Sequence, residues 1–161
     1  IKIINLKKKS GEYVGNIFVK SSTLKPVNCP KKLVPSSIDE FPLLFITASI
    51  IKGVTKFSGI SELRYKESDR IKNIEIGLNQ IGIKTKSTID TLKIYGNPDI
   101  QMNKTLRIFS KKDHRIAISF FCLGMLLNGK TEIKNFETVN TSFSKFLITM
   151  KKIGAKYEIK K

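Results

Sequence analysis

Cysteine and histidine are nearly missing from this sequence: Cys29, Cys122 and His114 are all it holds. Three such ligands cannot close the usual four-ligand zinc site, so no metal centre is expected. Two cysteines make no disulfide framework either, which fits a reducing, cytoplasmic compartment; both read as small core or loop residues. Long apolar runs are lacking as well. The two longest, "FPLLFITASII" (41–51) and "IAISFFCLGMLL" (116–127), are shorter than the roughly 20 residues a membrane span needs, so no membrane partner is expected. Pro- and Ser-rich tracts are absent, which argues against long disorder. No signal peptide opens the chain; it starts at Ile1 with a strand-like "IKIINL", and an excised piece of a longer chain is expected.

Acid is scarce. Thirteen Asp and Glu face 30 Lys and Arg, for a formal charge of +17. Nucleic acid, an anionic membrane or a phosphorylated small substrate could each answer such a surplus. The basic residues run from Lys2 to Lys161 without forming a stripe, so a coding bias toward lysine explains them as well as a functional field does. Arginine is the informative rarity: only Arg64, Arg70, Arg107 and Arg115 occur. The guanidinium fork grips carboxylate and phosphate at two points, where an ammonium acts as a point charge.

What is present is a folded domain. With 161 residues, 40% of them apolar, the chain can bury a sizeable core. The two apolar runs read as buried helices, because they are hydrophobic on nearly every side. "SSIDE" precedes the first and "KKDHR" the second, offering Asp39 and Asp113 as N-caps. A buried helix whose N-terminus reaches the surface can also attract anions.

The segments after each run correspond. "KGVTKFSGI" (52–60) leads to an amphipathic stretch from Glu67 to about Ile81 and then "GIKTK". "NGKTEIKNF" (128–136) leads to one from about Thr141 to Ile153 and then "GAKYE". Asp39 and Asp113 are 74 positions apart, and Gly82 and Gly154 are 72 apart. An internal repeat of strand, buried helix, strand, amphipathic helix and strand follows. "NIFVKSS" (16–22) and "KTLRIFS" (104–110) are the expected opening strands, and "TLKIYGN" (91–97) closes the first unit. The fold class is α+β, or mixed α/β, with repeat units at about 14–98 and 99–161.

"ELRYKESDRI" (62–71) concentrates charge. A helix starting near Lys66 would place Lys66 and Arg70 on one face with Glu67 beside them, opposite a core stripe of Ile71, Ile74, Leu78 and Ile81. A solvated face with Glu62 paired to Lys66 is the plain interpretation. Cations at a helix N-terminus oppose the macrodipole, however, and such a local cost hints at a site.

Together, "SSIDEFPLL", "ELRYKESDRI", "KKDHRIAISF" and "TSFSKF" resemble, in order, the C-terminal signatures of the 5-enolpyruvylshikimate-3-phosphate synthase family. The Lys-Glu-Ser-Asp-Arg and Asp-His-Arg blocks separate that family from the related UDP-N-acetylglucosamine enolpyruvyl transferases. The resemblance implies the enolpyruvyl transferase fold, built of βαβαββ units, with this chain as part of one lobe. The implied reaction moves the enolpyruvyl group of phosphoenolpyruvate to the 5-hydroxyl of shikimate 3-phosphate and releases phosphate. This belongs to the shikimate pathway, toward chorismate and the aromatic amino acids.

By that resemblance, Asp39 contacts the shikimate hydroxyls and accepts a proton. Lys66 binds substrate phosphate or hydroxyl groups, and Glu67 protonates the methylene carbon. Arg70 and Arg115 clamp the anionic groups of phosphoenolpyruvate. No cofactor is implied. Glu62 and Thr141 depart from residues found in some members and stay off the site list. His114 reads as structural. The partners implied are the two substrates and the N-terminal portion of the same chain, without which these residues should be inactive. The alternative is a basic nucleic-acid-binding module, which rests on charge alone: no helix-turn-helix or aromatic sheet face accompanies it.

Overall fold

A computed structural model describes residues 1–160. The chain opens with β1 (Lys2–Lys9) and β2 (Glu12–Phe18), an antiparallel hairpin. Its two-residue turn, Ser10-Gly11, takes positive φ at both positions (51° and 89°), the conformation that matches the twist of paired strands. Every residue of both strands is exposed, including Ile3, Tyr13 and Ile17. The short α1 (Val34–Ser37) and a 3₁₀ turn, Ile38–Glu40, run directly into α2 (Phe41–Ser49). Then come β3 (Gly53–Ser58), a 3₁₀ turn at Ser61–Tyr65, α3 (Arg70–Gln80), β4 (Lys84–Ser87) and β5 (Thr91–Gly96). The rest comprises β6 (Leu106–Phe109), α4 (His114–Gly124), β7 (Thr131–Lys134), a 3₁₀ turn at Phe136–Thr138, α5 (Val139–Ser142) and α6 (Phe146–Lys152).

Helices α2, α3 and α4 pack together as one layer. Phe41, Phe45 and Ile46 from α2, Ile71, Ile74 and Leu78 from α3, and Ile116, Phe120 and Leu123 from α4 meet in its core. Each such side chain stabilises the fold by about 1.5–3 kcal/mol on full burial. The antiparallel sheet β3–β5–β4 covers one side with Phe57, Leu92 and Ile94. The parallel pair β6–β7, joined through α4, adds Leu106 and Ile108. Close approach needs glycine at Gly96, where a Cβ would lie 2.2 Å from the Ala48 and Ile51 carbonyl oxygens at the end of α2.

Both helix-ending glycines act as expected. Gly82 (φ 78°) and Gly154 (φ 97°) are left-handed. The following Ile83 and Ala155 donate back to the carbonyls of Leu78 and Met150, the bonding that closes a helix C-terminus.

The expected strand at 16–22 is different in the structure. Residues 16–18 belong to the hairpin, whose Ser-Gly turn is a stronger local signal. Contact with β3 is made instead by Val27 to Cys29, through a parallel bridge of Asn28 with Lys56. Two helix boundaries also move. Helix α3 begins at Arg70 rather than near Lys66, because Asp69 accepts the Lys72 N–H at 2.9 Å and caps it there. The stretch from Thr141 to Ile153 is broken into α5 and α6 at Phe143–Lys145. Its Ser and Thr hydroxyls compete for main-chain groups, as Thr141 Oγ1 does at the Thr138 carbonyl, 2.7 Å away.

Sheet edges are closed by side chains. Gln80 at the end of α3 accepts the Arg107 N–H at 3.1 Å and donates to the Arg107 carbonyl at 2.9 Å, occupying the outer edge of β6. Asp90 in the β4–β5 turn accepts the N–H groups of Gly59 (3.0 Å) and Ser61 (3.2 Å), fixing the 3₁₀ turn that precedes α3. Partial burial pushes the Asp90 carboxyl up, but those two N–H groups and nearby Lys31 together hold it below its usual value. A lowered folded value stabilises above the unfolded carboxyl pKa of about 3.9 and is lost as pH falls through the folded one. Asp90→Asn should therefore melt below wild type at neutral pH, and the two melting temperatures should converge as pH falls through the folded Asp90 value. A gap that persists unchanged into acid would refute this.

Candidate active site

The N-termini of α3 and α4 and the turn before α2 meet at one place, and acidic side chains gather there around Arg70. Arg70 is 1% exposed, buried although it stands at the first position of α3. Its Nε donates to Asp113 Oδ2 at 2.9 Å and its Nη1 to Asp39 Oδ1 at 3.2 Å. Nη2 reaches Glu67 Oε2 at 2.5 Å and Asp113 Oδ1 at 3.4 Å. The cost of a cation beside the positive end of the helix is thus offset by three carboxylates.

Asp113 is fully buried and caps α4 as expected. Its Oδ1 accepts the N–H groups of Arg115 (3.0 Å) and Ile116 (3.4 Å), and its Oδ2 accepts the Ser68 hydroxyl at 2.8 Å. Asn73 donates to the same Ser68 hydroxyl at 2.8 Å. Asp39 behaves differently from the cap it was expected to be. It lies within the 3₁₀ turn, Glu40 takes the cap position with no side-chain bond, and Pro42 at the helix start needs no acceptor. The Asp39 carboxylate is left to the two arginines.

Arg115 comes from the first turn of α4 and is less buried. Its Nη1 donates to the Asp39 carbonyl (2.7 Å) and Glu40 Oε1 (3.1 Å), and its Nη2 lies 3.4 Å from Asp39 Oδ2. Asp39, Glu67, Arg70 and Arg115, spread over 77 positions of sequence, are therefore joined by direct contacts. Lys66 is the exception among the expected residues. It sits in the bend before α3 and pairs with Glu62, without a contact to Arg70 among the described residues.

Beside Arg115 and Asp39 opens a recess of about 260 Å³. His114 and Ser142 line it with Leu43, Phe143 and Phe146. Asp39 and Glu67, each about half exposed at 49%, face solvent and can exchange partners, whereas Asp113 cannot. Asp39, Glu40, Glu67 and Asp113 set four negative charges against Arg70 and Arg115. An anion is held here only if acids swing aside, one takes a proton, or further cations join.

Arg64 serves the frame. It pairs with Asp69 at 3.0 Å and donates to the carbonyls of Thr88 (2.6 Å) and Ile89 (3.1 Å), tying the β4–β5 turn to the start of α3. Arg107 is surface-exposed and pairs with Glu132. Sequence reasoning assigned Asp113 only its cap, and it missed Ser68 and Glu40. The Asp–His–Arg spacing carries the cap but holds no sign of the chain crossing to Arg70.

The layered architecture is shared with enolpyruvyl transferases: NikO of Streptomyces tendae superposes with a TM-score of 0.61 at 16% identity over 95% of this chain. A narrower likeness decides the family. EPSP synthase of Acinetobacter baumannii superposes with a TM-score of 0.90 at 38% identity, covering 99% of this chain and 37% of its own. The 3-phosphoshikimate 1-carboxyvinyltransferase of Clostridium tetani is 43% identical over 143 residues, 89% of this chain and 32% of that protein. That of Petrotoga mobilis is 43% identical over 153 residues, 95% and 35% respectively. The family model EPSP synthase (3-phosphoshikimate 1-carboxyvinyltransferase) matches residues 8–150, and the chain belongs to that family. It spans about a third of the length of the curated relatives it matches. Among the described residues no helix is long and apolar enough to cross a membrane.

Proposed function

We propose that these residues form part of the C-terminal lobe of a cytoplasmic enzyme that transfers the enolpyruvyl group of phosphoenolpyruvate to the 5-hydroxyl of shikimate 3-phosphate. The observation that carries this reading is the convergence of Asp39, Glu67, Arg70 and Arg115 on one rim. Two largely buried helices, α2 and α4, each bring an N-terminal end to that rim.

Asp39 takes the proton of the attacking hydroxyl. Glu67 delivers a proton to the methylene carbon, which makes the neighbouring carbon electrophilic. The hydroxyl oxygen adds there, and the same carboxylate then takes a methyl proton back as the C–O bond to phosphate breaks and phosphate leaves. Arg115, and the outward nitrogens of Arg70, replace their present carboxylate partners with the carboxylate and phosphate of phosphoenolpyruvate and stabilise the tetrahedral intermediate. Lys66 leaves Glu62 for a substrate phosphate or hydroxyl. Further cations, supplied by the N-terminal portion of the same chain on lobe closure, offset the excess of acid at the rim. These residues alone are then inactive.

The test is to measure phosphate release by the full-length chain with both substrates, and then with Arg115→Ala. A loss of roughly 100-fold or more in kcat/KM is expected, the scale of removing one charge-stabilising donor. Near wild-type turnover by the variant would overturn the assigned role, and no turnover by the wild type would overturn the reaction.

A further inference from the structure

Resting on that proposed reaction, we infer that Asp113 is a positioning residue for the phosphoenolpyruvate subsite, beyond its service as a helix cap. Three carboxylates surround Arg70, but they are not equivalent. Asp39 and Glu67 approach Nη1 and Nη2 from the solvent side, each half exposed. Asp113 approaches the Nε edge and is wholly buried. Asp113 meets the planar fork at two points, Nε at 2.9 Å and Nη2 at 3.4 Å, and a two-point grip fixes its rotation. Asp113 therefore sets the plane of the guanidinium, and the two solvent-side acids are placeholders that an incoming anion displaces.

The same carboxylate fixes the second arginine. Oδ1 takes the N–H of Arg115 at 3.0 Å and Oδ2 takes the Arg70 Nε, so one rigid group registers the backbone of one clamp against the fork of the other. Ser68 holds that carboxylate from the far side and is itself held by Asn73. Neither oxygen of Asp113 is left over. A group that is fully bonded, dry and shared by both arginines suits preorganisation: the donors stand in place before substrate arrives and pay little reorganisation on binding.

Asp113→Asn separates the two duties. Asparagine is a good N-cap and keeps an oxygen for the Arg115 and Ile116 N–H groups. Its NH2 group then faces the Arg70 Nε–H, donor against donor, while the Ser68 hydroxyl can turn to accept, and the fork loses its orientation. In the full-length chain the KM for phosphoenolpyruvate should rise between about 10- and 100-fold, the scale of a small misplacement of a binding group. The KM for shikimate 3-phosphate should change much less. A cap that served stability alone would lower the yield of folded protein and leave both KM values as they were; that result overturns the proposal.

The wild type supplies a second readout that does not depend on how the Asp113 variant folds. The Arg70 Nε–H resonance, assigned by its disappearance in Arg70→Lys, should exchange slowly with water and stay unshifted when phosphoenolpyruvate is added. A fast-exchanging or strongly displaced Nε–H signal would overturn the proposal. Because this measurement does not depend on turnover, it separates an error about Asp113 from an error about the reaction.

Discussion

Arg70→Ala should lower the free energy of unfolding by about 3–5 kcal/mol, the penalty for stranding the partner of a buried charge. Asp113 would keep its place under the core with its Arg70 bonds gone, and the pair is dry on both sides: 1% and 0% exposed. Asp39 and Glu67 add little to this cost, since they can turn to water. Urea unfolding of the two proteins measures the difference directly. Removing the second charge should restore stability, because a neutral pair of similar volume loses the ionic attraction but also the desolvation cost. Arg70→Met with Asp113→Asn should therefore recover at least half of the loss while keeping the α4 cap. A single-variant loss below about 1 kcal/mol, the level of an exposed pair, would mean that water reaches the cluster.

The other large effect is on turnover. In the full-length chain, Glu67→Gln should lower kcat by about 10²- to 10⁴-fold, the usual worth of a positioned general acid or base. Glutamine preserves the shape of the side chain and can still accept from Arg70 Nη2, so both KM values should move little. Half exposed as Glu67 is, its loss should cost less than about 1 kcal/mol in stability. A kcat within a few-fold of wild type would transfer proton delivery to another group, Lys66 or Asp39 first.

Much of this could be read before any coordinates. The two buried helices were visible as runs with no polar face, and the glycines ending α3 and α6 as "QIGIK" and "KIGAK", because a left-handed helix stop favours that residue. The core stripe Ile71, Ile74, Leu78 and Ile81 followed from period alone; the first three are buried, and Ile81, at the end of α3, is partly buried. The Ser-Gly turn is the local signal for the hairpin at the start, and it assigns residues 16–18 to β2 rather than to an opening strand over 16–22.

At the site, residue identities were legible through the motif blocks, whereas their partners were not. Periodicity places Arg70 on a helix face, yet whether that face meets water or a carboxylate 43 positions away is decided by how α3 and α4 pack. The same limit explains Asp39, read as a cap when the following turn had already supplied the helix start. Local rules score a residue against its neighbours in sequence; Asp39, Arg70 and Asp113 are chosen for neighbours in space.

The amide of Gln80 has a consequence for how this fold can be extended. Because it answers both main-chain groups of Arg107, a visiting strand would have to dislodge it before zipping onto that border of the parallel pair. Besides walling the core, α3 thus acts as a doorstop on that side of the sheet.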